Sequence, residues 1–171
     1  AEDAPALVRI SSTQVLVAYA RREDDVTRLR AAIVDVDAGT VTEQSLIPTP
    51  SGYDAEHSPS LTSIGSGDIF LAWTARQHVL EAEGDDTFLQ QLVIDDDVIS
   101  FTGMTRHFPR APVAGTDQRR LRLASTQPSG TPTPALFLAW EDETPPATAG
   151  DPRPDVAFTL LPYPILDLSG E

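Results

Sequence analysis

Cysteine is absent from the 171 residues, and so are lysine and asparagine. Without cysteine there is no disulfide framework, no thiol nucleophile and no thiolate zinc site. All twelve basic residues are arginine, so Schiff-base chemistry, P-loop phosphate binding and a lysine general base lose their essential side chain. Without asparagine there is no N-glycosylation acceptor. Positive charge is scarce as well: 12 basic against 26 acidic residues give a net charge of −14 and a pI of about 4.4. Such a surface repels nucleic acid and anionic membranes and favours cations or basic partners. No apolar run reaches the roughly 20 residues of a membrane helix, and the N-terminus lacks the basic-then-apolar layout of a signal peptide. The expectation is a soluble chain that binds no nucleic acid and inserts in no membrane. The opening Ala1-Glu-Asp-Ala-Pro5 reads equally as a mature end after signal cleavage, an expression boundary or a proteolytic cut.

Capped, helix-period amphipathic stretches are missing too, while 15 prolines and 10 glycines fall mainly between short alternating apolar segments. That pattern is all-β. One segment recurs. Val15-Leu-Val-Ala-Tyr-Ala-Arg21 returns as Phe70-Leu-Ala-Trp-Thr-Ala-Arg76 and as Phe137-Leu-Ala-Trp-Glu141. Ala18, Ala72 and Ala139 are each followed by an aromatic (Tyr19, Trp73, Trp140), with spacings of 54 and 67 residues. The longer spacing contains the insert Gln127-Pro-Ser-Gly-Thr-Pro-Thr-Pro134. Before each core strand lies a short alternating strand: Ala6–Ile10, Ser60–Ile64 and Arg120–Ala124. After it, beyond an acidic loop, comes a third: Arg28–Val34, Phe88–Ile94 and Val156–Leu161. Asp37-Ala-Gly39 and Asp95-Asp-Asp97 then read as hairpins into Thr40–Ile47 and Val98–Phe101, and the third unit ends in a stub, Ile165–Leu168.

The sequence therefore predicts one all-β domain over 1–171 with repeat units of roughly 1–57, 58–118 and 119–171. Each unit is expected to be a four-stranded antiparallel meander, making about three blades of a β-propeller. A β-sandwich is the alternative, but it does not explain three copies of one motif. Tyr19, Trp73 and Trp140 are expected in the core between blades. Propellers close with roughly four to eight blades, so a three-blade arc calls for a second copy of the chain, a partner chain, or more of a longer polypeptide.

Pro5-Ala-Leu-Val-Arg-Ile10 with its following strand, and Pro59-Ser-Leu-Thr-Ser-Ile64 with its own, resemble blades of the sialidase-type propeller superfamily. The resemblance implies a propeller. It does not bring sialidase chemistry, because Asp3 and His57 stand where that family carries its substrate-binding arginine, and the Ser-x-Asp-x-Gly-x-x-Trp box is absent.

Several residues have the makings of a site. Arg21 and Arg76 end successive core strands, where repeated guanidinium groups suit an anion or carboxylate, and His57 lies in the connection leading out of the first unit. Ion pairing with nearby acids is the competing reading for the arginines. Asp35, Asp37 and Glu43 have the oxygen spacing of a loose calcium loop, although Asp37-Ala-Gly39 is also an ordinary turn. Glu83-Gly-Asp-Asp86 and Asp95-Asp-Asp97 read as solvated acidic turns. Apart from Ca²⁺ at that loop no cofactor is implied. The expected function is a non-enzymatic, extracytoplasmic scaffold or recognition module that closes by homodimerisation or with a partner chain. The alternatives are a glycan-binding lectin and part of a glycan-processing propeller enzyme.

Overall fold

The computed structural model describes residues 4–46, 52–64, 67–77, 84–108, 118–126, 134–142 and 155–162. These residues form eleven strands, with no helix among them. The first antiparallel meander comprises β1 (Ala6–Arg9), β2 (Gln14–Glu23), β3 (Val26–Asp35) and β4 (Thr40–Ser45). The central one comprises β5 (Tyr53–Ile64), β6 (Asp68–Gln77), β7 (Gly84–Asp95) and β8 (Val98–Phe108). The last has β9 (Gln118–Thr126), β10 (Ala135–Asp142) and β11 (Asp155–Pro162). The protein is all-β, with three antiparallel sheets that succeed one another along the chain. The stub Ile165–Leu168 lies outside the described residues.

Turn chemistry joins the strands as the sequence suggests. Gly39 takes φ +65° ahead of β4, and the Asp35 carboxylate accepts the Ala38 amide at 2.8 Å, which closes the turn locally. Asp96 and Asp97 both have positive φ between β7 and β8, the backbone of a two-residue hairpin whose twist matches its strands.

Register shows how closely the units repeat. Ala18 pairs with Ala6, Ala72 with Ser60, and Ala139 with Arg122. In the last sheet the counterpart of Ser60-Leu61 is therefore Arg122-Leu123, two residues beyond the Arg120-Leu121 suggested by pattern. A period-two alternation cannot distinguish shifts of two, and Leu121 and Leu123 are both buried.

The same bulge also recurs. Ser58-Pro59 together oppose Trp73, and Arg120-Leu121 together oppose Trp140. Ser58 and Arg120, the first residue of each bulge, adopt positive φ (51° and 50°), a left-handed conformation that costs a non-glycine residue on the order of 1 kcal/mol. A bulge accommodates Pro59, whose missing N–H would otherwise break a ladder bond. A second bulge sets Ala55-Glu56 against Ala75, with Ala55 at φ 48°. Through these two bulges β5 runs back to Tyr53, ahead of the boundary expected at residue 58.

The sheets stack face to face. Residues 69 to 75 of β6 are all buried, so both faces of the central sheet are covered. Leu71, Trp73, Phe88 and Leu92 pack with Leu16, Ala18, Ala31 and Ile33 of the first sheet. Phe70, Ala72 and Leu89 pack with Leu121, Leu123, Leu136, Leu138 and Trp140 of the last. Polar contacts pin both interfaces. The Gln44 amide accepts the Ile99 N–H (2.9 Å) and donates to the Asp97 carbonyl, while the Ser60 and Thr62 hydroxyls accept the Leu123 and Ser125 amides (2.9 and 3.1 Å). Trp73 is fully buried and Trp140 nearly so, as expected for core, whereas Tyr19, expected there too, is half-buried and lies outside both core clusters. Trp73→Ala and Trp140→Ala should each cost about 3–5 kcal/mol in urea denaturation, and unchanged midpoints would contradict the packing described.

Candidate functional site

Polar side chains gather where β5 begins, β6 ends, β7 begins and β8 ends. β7 supplies consecutive aspartates, and strand alternation sends them to opposite faces of the central sheet. On the face toward the first sheet, Asp86 is buried and accepts the Tyr53 hydroxyl at 2.7 Å. His107 Nε2 lies 3.1 Å from the same carboxylate oxygen but off the line that a hydrogen bond needs. Phe88 is stacked between Trp73 and His107, with centroids 5.5 and 5.0 Å away, and Tyr53 meets it edge-on. Burial, with donation to the Asp86 carboxylate as a second cause, pushes the Tyr53 hydroxyl well above its ordinary value of 10.0.

On the face toward the last sheet, His57 Nε2 lies 3.4 Å from Asp85 Oδ2. Its Nδ1 is 2.7 Å from the Thr74 hydroxyl and 3.1 Å from that of Ser58. The Thr74 hydroxyl also donates to the His57 backbone carbonyl at 3.2 Å. Arg76 is exposed and pairs in register with Asp85.

Between these groups sits Glu56, 1% exposed. The ladder of β4 ends with Ser45 opposite Arg30, so the Leu29 N–H beyond it has no strand partner. Glu56 Oε2 accepts that amide at 2.7 Å, and Oε1 lies 3.8 Å from the Arg28 guanidinium. A carboxylate of the central sheet thus caps an orphan donor of the first. The bulges at Ala55 and Ser58 flank it and hold it in place.

Of the predicted residues, His57 and Arg76 share this end of the central sheet. Arg21 lies elsewhere: it stands three residues after Ala18, whereas Arg76 stands four after Ala72. One residue of offset turns a side chain to the other face, so Arg22 is the register counterpart of Arg76, and Arg21 instead pairs with Glu43 at 3.2 Å. Glu43 lies opposite Ala32 and Asp35 opposite Thr40, so Asp35, Asp37 and Glu43 are not drawn together. Among the described residues no three His, Asp or Glu side chains converge as metal ligands. The expectation that Asp86 is solvated is corrected by its burial beneath Tyr53 and His107. Sequence reasoning missed Tyr53, Glu56, Asp86 and His107. The signal was two histidine-bearing segments, Tyr53–His57 and Arg106–Phe108, which the long strands β5 and β8 bring opposite Asp85-Asp86.

No family model matches this chain, and no curated protein or solved structure matches it either.

The arrangement sets two acid–imidazole pairs on the two faces of one strand, each histidine side chain about one-fifth exposed (22% and 23%). Glu56 is spent on the first sheet's Leu29 amide and Asp86 on the Tyr53 hydroxyl within the central sheet, while the buried Thr87 hydroxyl, opposite Thr74, has no hydrogen-bond partner. Glu56→Ala should destabilise by about 1–3 kcal/mol, the cost of a buried N–H left without an acceptor. Glu56→Gln, which keeps an oxygen there, should cost less in the same denaturation series. Equal losses would contradict the capping role. The raised Tyr53 pKa gives a second expectation. The stability it contributes is complete below about pH 10 and is lost as pH climbs toward the folded-state value. Unfolding free energy should fall with alkaline pH, and Tyr53→Phe should flatten that decline; an identical slope in the variant would contradict the assignment.

Proposed function

We propose that this chain is a non-enzymatic β-propeller-type module, that its three sheets are successive blades, and that the bare outer faces of its first and last sheets are its recognition surfaces. One comparison carries the reading. On the central sheet, Phe70, Ala72 and Leu89 are buried against the last sheet. Their register counterparts on the last sheet are Phe137, Ala139 and Phe158, and there Phe158 is 68% exposed and stacks only partly on Phe137. At the other end, Leu61, Leu71 and Trp73 are buried against the first sheet, whereas their counterparts Leu7, Val17 and Tyr19 lie on its outer face, with Leu7 60% exposed. Exposed apolar patches of this kind mark interaction sites, and blades in a closed ring have no bare face.

The sialidase-like form of the repeat supports the propeller reading in shape, not in chemistry. The polar end of the central sheet supports a structural role: Glu56 ties it to the first sheet, while Tyr53–Asp86 and His57–Asp85 tie strands of the central sheet to one another. Trp73 and Trp140 lie in the core and only Tyr19 of the three lies on an outer face, which weighs against a repeated row of aromatics as a sugar-stacking platform.

Paired substitutions test the reading. Leu89→Asp should unfold the chain. Phe158→Asp, its register counterpart, should leave the monomer within about 0.5 kcal/mol of wild type while abolishing any assembly through that face. Equal damage from both would mean that the last sheet is covered from within the chain, and would overturn the proposal.

A further inference from the structure

Resting on that reading, we infer that each bare face is covered by a second copy of this chain, head to tail, the last sheet of one copy on the first sheet of the other. The chain already makes this junction twice. In both, the face carrying Leu16-x-Ala18 or Phe70-x-Ala72 meets the face of the following sheet that carries Leu71-x-Trp73 or Leu138-x-Trp140. What remains bare is one face of each kind: Phe137-x-Ala139 with Val156, Phe158 and Leu160 on the last sheet, and Val17-x-Tyr19 with Leu7 and Val41 on the first. The two faces are unlike, so their complement is each other rather than themselves.

A contact between unlike surfaces either closes or propagates. Two copies contribute six sheets, inside the range of roughly four to eight in which propellers close. Both junctions then form at once, and no bare outer face is left to extend the assembly. The inner strands lead the packing: β5 contacts β1, β2 and β3 on one side and β9 on the other. In the dimer β9 of one copy takes the place of β5, and β1 of the other the place of β9.

Light scattering over a concentration series tests the inference. Wild type should approach twice 18.4 kDa, and Phe158→Asp and Leu7→Asp should each return the mass to 18.4 kDa with unchanged circular dichroism. Mixing the two variants in equal amounts should restore part of the dimer, because one of the two junctions then pairs unaltered faces. If last sheet packed on last sheet, Leu7→Asp would have no effect, and head-to-tail pairing would be overturned. A wild-type monomer at every concentration would overturn the second copy altogether. Hydroxyl-radical labelling of that monomer separates the two claims. Reactive Phe158 and Leu7 would leave the module reading standing with a different occupant, whereas protected ones would end both.

Discussion

The central sheet is apolar on both faces, and most of the architecture follows from that. Seven consecutive buried residues in β6, from Ile69 to Ala75, cannot satisfy themselves with one neighbour, because successive side chains point in opposite directions. The first sheet covers Leu71, Trp73 and Phe88; the last covers Phe70, Ala72 and Leu89. Once the three layers are stacked, the strand at the inner edge must pass close to both neighbours. β5 does so with two bulges that bend it, place Pro59 where no ladder bond is lost and turn Glu56 toward the first sheet.

Packing of this kind leaves backbone groups stranded wherever one strand outruns the next, and the polar end of the central sheet is the response. Glu56 caps the Leu29 amide beyond the last ladder pair of β4. Asp86 is buried but holds the Tyr53 hydroxyl, and Asp85 meets His57 on the opposite face of the same sheet. A buried carboxylate without such partners would be heavily penalised. Of these groups Glu56 joins two sheets, whereas the two acid–imidazole pairs hold strands of the central sheet to one another, and the strained residues Ala55 and Ser58 flank Glu56.

Strand identity was legible in the residues because alternation, the Ala-aromatic motif and the turn residues all agree. All eleven strands fall on segments whose patterning marks them, and Gly39 and Asp96-Asp97 turn where their chemistry requires. Three features were not legible. The bulges opposite Trp73 and Trp140 need no special residue, so Arg120 carries a positive φ without announcing it. The counterpart of Ser60 in β9 was displaced by two, a shift that leaves every apolar residue on its own face. Asp86 looks like any acidic turn residue until β5 and β8 extend far enough to lay Tyr53 and His107 over it. Nothing in the sequence joined His57 to Arg76, which share one end of the central sheet, and the link from Arg76 to Arg21 failed by one residue, which in a strand is a change of face.

The repeat also explains why the outer sheets carry the same two kinds of face as the central one: each unit is patterned to lie between neighbours. Cross-linking tests this most directly, because a chain without cysteine makes any introduced pair unique. In the central-to-last junction the Ser60 hydroxyl touches the Leu123 amide, and the register counterparts on the bare faces are Arg122 and Leu7. An equal mixture of Arg122→Cys and Leu7→Cys chains, oxidised at modest concentration, should give a disulfide-linked heterodimer, while neither variant alone links to itself. Homodimers of one variant in place of the heterodimer, or no cross-link from folded protein, would contradict the account.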